Sequence, residues 1–311
     1  MEVRGTGTGA HASRRVALSL GAGALVAAAA PLGGSAHAAP ATADGDRLAR
    51  RLTELENRHA ARLGVFAHDT ATGRSVQYRA QERFPMCSVF KTLAVAAVLR
   101  DLDRHGEFLA RRVRYDEKTV TDSGYAPVTG KPEHLAHGMT VEELCDAAIR
   151  YSDNAAANLL LRALGGPRAV TRFCRSVGDR VTRLDRWEPE LNSAEPGRRT
   201  DTTTPRAVAG TYARLTLGDA LDRGDRRRLT GWLLGNTTSG AKFRAGLPDG
   251  WAVADKTGGG EYGTNNDVGL TWPPGHPPIV LAVLTTRFTP DAERIDPLVA
   301  EAASLVAAEL G

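Results

Sequence analysis

The stretch Ser88-Val89-Phe90-Lys91-Thr92-Leu93-Ala94-Val95-Ala96-Ala97-Val98-Leu99 decides how this chain is read. Apolar residues fill every position after Thr92, so a helix here is apolar on most sides, as expected of one buried at the centre of a fold. Arg104 and His105, followed by Gly106, predict where it stops. The polar exceptions sit at its start. Residues i and i+3 share a helix face, which puts Lys91 beside Ser88. A serine hydroxyl is a poor nucleophile until a neighbour accepts its proton. A lysine held near other positive groups gives up its own proton more readily and serves as that base.

Working outward, Leu48, Leu52 and Leu55 predict an N-terminal helix. Leu63 to Asp69 and Arg74 to Arg79 read as two strands joined by the turn Thr70-Ala71-Thr72-Gly73. On the other side, Thr140-Val141-Glu142-Glu143 is a capping-box pattern opening a helix to about Arg150. Helical composition resumes from Ala155 to Leu164. Gly165-Gly166-Pro167 ends that helix and starts another, which stops near Gly178. Residues 183–201 carry few apolar residues and two prolines, and read as a long ordered loop. Strands are expected at about 251–259, 262–272 and 278–287, and a last helix from Pro297 to Leu310 with Leu298, Ala302, Leu305 and Val306 as its apolar face. Strands therefore lie at both ends and helices between them. This is an α/β region closed by both termini, with an all-helical insertion. The expected division is an α/β lobe from about 44–84 and 240–311, and a helical lobe of about 85–239.

A lone S-x-x-K pair is weak, and Ser239-Gly240-Ala241-Lys242 repeats it. Order separates the two. Only Ser88 is followed by both Ser152-Asp153-Asn154 and Lys256-Thr257-Gly258. Between these lies Arg186-Trp187-Glu188-Pro189-Glu190-Leu191-Asn192. Taken alone, Ser152-Asp153-Asn154 is a plain interhelix turn, since all three residue types favour turns. The glycine run after Lys256 is not a phosphate loop, because G-x-x-x-x-G-K-[ST] is absent.

The ordered set is the established signature of penicillin-recognising serine enzymes, so this is recognition of a known pattern. The chain resembles a class A (serine) β-lactamase of the secreted actinomycete type across nearly the whole region after the leader. The resemblance implies an α+β sandwich: a five-stranded antiparallel sheet flanked by helices, with the site at the seam between the lobes. It implies that Ser88 is the nucleophile and Lys91 its base. Ser152 relays a proton to the departing lactam nitrogen, which must be protonated as its bond breaks. Asn154 binds the substrate's side-chain amide, and Asp153 holds the turn. Lys256 and Thr257 receive the substrate carboxylate. Gly258 lets the strand approach closely, and the amides of Ser88 and Gly259 form the oxyanion hole. Glu188 activates the water that frees the acyl-enzyme, with Asn192 holding that water, while Arg186 and Asp201 clamp the loop. Tyr125 matches an aromatic residue at the cleft mouth; its plainer reading is an exposed loop tyrosine.

The chain also departs from the family pattern. Asn265 stands where many relatives carry a carboxylate-binding arginine. Lys242 aligns with a compensating arginine of other relatives, and Arg244 is its rival. Two further functions share this signature. A D-alanyl-D-alanine carboxypeptidase or esterase forms the same adduct, and a β-lactam-trapping sensor keeps it; Glu188 argues against both.

The composition is that of an ordinary globular chain, with 42% hydrophobic and 24% charged residues. The formal charge is +4. Arg4, Arg14 and Arg15 against Glu2 place about half of it in residues 1–38, so bulk charge makes no case for nucleic acid or membrane lipid. Ser13-Arg14-Arg15-Val16, the apolar run to Ala30 and Ala36-His37-Ala38 read as a twin-arginine signal peptide cleaved after Ala38, with Sec export as the runner-up route. A membrane anchor fits less well, because the run is short and rich in Gly and Ala. Residues 39–311 are then the catalytic domain of a secreted monomer acting on a small β-lactam and conferring resistance. Cys87, Cys145 and Cys174 read as three buried free thiols, although one disulfide and a spare thiol is open. His134 and His137 read as surface residues. No metal or cofactor is expected.

Overall fold

A computed structural model describes residues 43–311; the expected leader lies outside them. Five strands form one antiparallel sheet: β1 (Arg62–Asp69), β2 (Ser75–Tyr78), β3 (Ala252–Gly259), β4 (Asn265–Trp272) and β5 (Ile279–Thr286). Their order is β2-β1-β5-β4-β3. The pairing of Arg62 with Thr286 and of Asp69 with Ile279 joins the two ends of the chain. The start of β4 falls three residues later than the pattern predicts. Residues 260–264 turn instead, with Gly260 N donating to Thr264 O (3.1 Å) and Tyr262 in the left-handed region.

The helices are α1 (Ala43–His59), α2 (Phe90–Ala97), α3 (Glu117–Ser123), α4 (Pro132–His137), α5 (Val141–Arg150), α6 (Asn154–Leu164), α7 (Arg168–Ser176), α8 (Pro205–Thr216), α9 (Arg223–Leu234), α10 (Phe243–Gly246) and α11 (Asp296–Leu310). Successive strand residues point to opposite faces, so each strand feeds two cores. Leu63, Val65, Ala67, Leu281 and Val283 pack with Leu52 of α1 and Leu298 and Ala302 of α11. Phe66, Val280, Ala282 and Leu284 pack on the other side with α2, α5, α6 and α8. Residues 90–97 are all buried, as the apolar run requires.

The central helix differs from its expected bounds at both ends. Cys87–Val89 is a single 3₁₀ turn, with Cys87 in the left-handed region, and the α-helix starts only at Phe90. After Ala97 the helix continues as a wider π turn and stops at Leu102, ahead of Arg104 and His105. Asp103 accounts for the stop. Its carboxylate accepts from Gly106 N, Phe108 N and Leu109 N (2.9, 2.9 and 3.0 Å), which pins the next turn. The Thr140 capping box is present in full. Cys87, Cys145 and Cys174 are buried free thiols. Among the described residues no helix is long and apolar enough to cross a membrane.

Candidate active site

The 3₁₀ turn brings Ser88 to the floor of a cleft of about 340 Å³. Its walls include Tyr125, Ser152, Asn154, Asn192, Thr257 and Gly258. Beneath the floor lie three charged groups that the sequence singles out, Lys91, Glu188 and Lys256, all buried.

Glu188 is the hub. Its Oε1 accepts from Ser88 Oγ (3.2 Å) and lies 3.0 Å from Lys91 Nζ. Its Oε2 accepts from Asn192 Nδ2. Lys91 also donates to Ser152 O (2.8 Å), to Asn154 Oδ1 (2.6 Å) and, at longer range, to Ser152 Oγ (3.4 Å). The geometry refines the expected Ser88–Lys91 pairing. Ser88 Oγ and Lys91 Nζ meet at the shared Glu188 Oε1. Burial pulls Lys91 below the usual lysine range, although the Glu188 carboxylate opposes that shift.

Ser152 sits in the left-handed region, an uncommon state for a non-glycine residue. Asp153 maintains it. Its carboxylate accepts from Val128 N, Thr129 N and Ala156 N (2.9, 2.9 and 2.8 Å), which caps α6 and anchors the neighbouring loop. Asn154 Nδ2 donates to Ser123 O (2.9 Å), leaving its Oδ1 aimed at Lys91. Lys256 on β3 donates to Ser152 Oγ (3.0 Å) and Thr257 O (2.8 Å). Burial, with Lys91 close by, holds its ammonium well below the usual range. Ser152 Oγ therefore bridges two lysines of unusually low proton affinity.

The glycines of β3 make the cleft narrow. A Cβ at Gly258 would lie 2.7 Å from Met86 O and 3.3 Å from Ser88 N, so only glycine lets the strand pass the nucleophile turn. At Gly259 it would meet the Arg294 guanidinium at 2.7 Å.

The Glu188 loop is clamped as the motif suggests. Arg186 Nε donates to Asp201 Oδ2 (2.6 Å), and Asp201 Oδ1 accepts from Asp185 N and Arg186 N (2.7 and 3.0 Å). Leu191 is buried beneath the loop. The nearby Glu190 is exposed and does not line the cleft.

Lys242 and Arg244 part ways. Lys242 lines the cleft, 3.4 Å from Asp296, beside Asn265, whose Nδ2 also binds Asp296 (2.9 Å). Arg244 turns away from the cleft to Ser239 Oγ (2.9 Å), Val253 O (2.9 Å) and Asp255 (3.2 Å), and does not line it. Tyr125 is 53% exposed at the cleft mouth. Three residues at the site escaped the sequence reading. Asn158 brackets the Glu188 backbone, donating to Glu188 O (2.9 Å) and accepting from Glu188 N (3.1 Å). Its spacing of i+4 from Asn154, on one helix face, was the available signal. Thr238 shares a hydroxyl bond with Thr257 (2.5 Å), and Arg294 lines the cleft from the loop before α11; neither had a signal in the sequence. Among the described residues, His134 and His137 belong to no group of three potential metal ligands.

Residues 47–310 match the model of the β-lactamase enzyme family. A β-lactamase of Streptomyces lavendulae is 68% identical over 98% of this chain and 99% of its own length. The solved β-lactamase from Streptomyces albus G has a TM-score of 0.85 and 67% identity, covering 85% of this chain and all of that one. A reconstructed class A β-lactamase, the last common ancestor of Gram-negative bacteria, has a TM-score of 0.80 at 54% identity, over 85% of this chain and 99% of that one. With this likeness over almost the whole described chain, and with the serine, lysine and glutamate gathered at one cleft, the chain belongs to the β-lactamase enzyme family, in its class A serine branch.

Proposed function

We propose that this class A β-lactamase opens the lactam through an ester on Ser88 and frees that ester with water activated by Glu188. The observation that carries the reading is the single Glu188 oxygen within reach of both Ser88 Oγ and Lys91 Nζ, with Asn192 on its partner oxygen. Ser88 Oγ attacks the lactam carbonyl while its proton passes to the Lys91–Glu188 pair, with Lys91 as the base. The amides of Ser88 and Gly259 stabilise the oxyanion. The C–N bond breaks, and the nitrogen takes a proton through Ser152, which Lys91 and Lys256 resupply. Water held by Glu188 and Asn192 then adds to the ester, Glu188 takes its proton, and Ser88 leaves with one. Hydrolysis of nitrocefin by the purified chain tests the activity; an inert chain that only retains the acyl group supports the sensor reading instead.

Lys242 in the cleft wall and Lys256 beneath the floor supply positive charge, and the Thr257 hydroxyl a donor, for the substrate carboxylate, with Asn154 and Tyr125 beside the substrate's side chain. Lys242→Ala is expected to raise KM for penicillins about tenfold while kcat changes less, as for loss of one charge-assisted hydrogen bond. Arg244→Ala should leave KM in place and lower Tm, because it uncovers buried Asp255. Steady-state kinetics with thermal melts of both variants decide the assignment, and an unchanged KM in Lys242→Ala ends it.

The carboxypeptidase reading is disfavoured by the buried Glu188–Asn192 pair, which serves a deacylating water. We take residues 39–311 as the catalytic unit, with lobes 44–84 plus 240–311 and 85–239 meeting at the cleft. The leader 1–38 directs export of a monomer that confers β-lactam resistance, and N-terminal sequencing of the culture-medium protein checks cleavage after Ala38.

A further inference from the structure

A second cavity, of about 550 Å³, shares no lining residue with the cleft. It lies between the start of α8, the chain that follows α7, and Phe66 of β1. Four arginines line it: Arg83, Arg180, Arg206 and Arg214. Some arginines of this chain pair with acids, as in Arg62–Glu82, Arg74–Glu309, Arg79–Glu56 and Arg183–Asp185, and others stand singly on the surface; these four are gathered in one cavity. Among the described residues none of the four groove arginines has a carboxylate within ion-pair distance.

The one acid lining the groove, Asp179, is occupied inward. Its Oδ1 accepts from Val181 N and Thr182 N (2.8 and 2.9 Å) and its Oδ2 from Thr211 Oγ1 (2.9 Å). It is 3% exposed and makes no ion pair with the four arginines, although its charge acts on Arg83. The arginines are also oriented. Arg83 donates to Val181 O and Thr202 Oγ1 (both 3.1 Å) through Nη1, and among the described residues Nε and Nη2 have no hydrogen-bond partner. Arg206 lies over the Phe66 ring, 5.2 Å from its centroid. The Arg214 guanidinium lies 3.9 Å from where a Cβ on Gly178 would stand.

Gathering like charges costs folding free energy unless an anion offsets them. At Arg83 burial, followed by Arg199, Arg183 and Arg175 from outside the groove lining, pulls the guanidinium below the ordinary arginine range, while Asp179 acts the other way. Guanidinium groups match phosphate oxygens in a two-pronged geometry that lysine cannot offer. The positive end of the twelve-residue helix α8 adds to the same field. The volume falls within the range of small-molecule sites and exceeds what a single phosphate needs.

We propose that this groove is a binding site for a small anion bearing several phosphate groups, separate from the β-lactam cleft. Calorimetric titration of the purified chain with sodium tripolyphosphate in low-salt buffer tests it. One-to-one binding is expected, with orthophosphate binding much more weakly. Arg206→Gln/Arg214→Gln should weaken tripolyphosphate binding by at least about tenfold, each lost contact being charge-assisted. Arg50→Gln/Arg104→Gln removes the same charge from exposed positions that do not line the groove and should leave binding in place. Nitrocefin turnover, expected to be unchanged in both double variants, reports that they are folded. No binding by the parent chain, equal weakening in the two double variants, or equal affinity for orthophosphate and tripolyphosphate each overturns the proposal.

Discussion

Glu188→Ala stops the reaction halfway: a penicillin is expected to add to Ser88 and remain there. Intact-mass spectra should show the protein heavier by one whole penicillin, and kcat should fall about 10³-fold, the usual range for loss of a positioned general base. The reason lies in the two steps. Acylation keeps its nucleophile, its oxyanion donors and Lys91, which retains Ser152 O and Asn154 Oδ1 as partners. Deacylation loses the carboxylate that holds and deprotonates water. Lys91 is itself changed, because the Glu188 carboxylate works against the effect of burial. Without it the Lys91 ammonium loses its proton at lower pH still, which favours its service as the acylation base. Breaking a buried pair also costs stability, about 3–5 kcal/mol when a charge is left uncompensated. Glu188→Gln preserves the volume and separates that structural cost from the chemistry. Fast turnover with no adduct in either variant would remove Glu188 from the deacylation step.

Ser88→Ala is expected to abolish turnover, lowering nitrocefin hydrolysis by at least about 10⁴-fold with no adduct at all, since removing a nucleophile disables the whole catalytic unit. The contrast with Glu188→Ala is the informative part: one variant holds the substrate covalently, and the other never captures it. Ser88 sits on a turn hemmed in by Gly258, and alanine adds no atoms there, so Tm should change little. Retained hydrolysis in Ser88→Ala would point to another nucleophile. Ser152 is the first to examine, because it touches both buried lysines.

The parts of the site that were readable from sequence are those built within a few residues. Ser152-Asp153-Asn154 carries its own geometry, because Asp153 caps α6 while its neighbours flank the cap. The capping box at Thr140 and the unbroken apolar run from Ile279 to Leu284, a strand buried on both faces, are equally local. The misplaced bounds lie where short-range turns, which the apolar pattern does not register, overrode it. Asp103 ended the central helix early, and the turn at 260–264 delayed β4. Helix α8 has Thr204 as its cap and Pro205 in its first turn, a signal present in the sequence but not used.

Lys242 and Arg244 mark the boundary most clearly. Two residues apart, they diverge, Lys242 into the cleft and Arg244 to buried Asp255. The same holds for Asn158, Arg294 and the four groove arginines, whose neighbours come from distant segments. Sequence alone determined the residue types, their order and the face-by-face alternation, because propensity, capping and periodicity act over a few positions. Only the tertiary structure decided that Ser88 meets a carboxylate 100 positions away, which cation faces the substrate and which arginines lack acids, because long-range packing sets those distances.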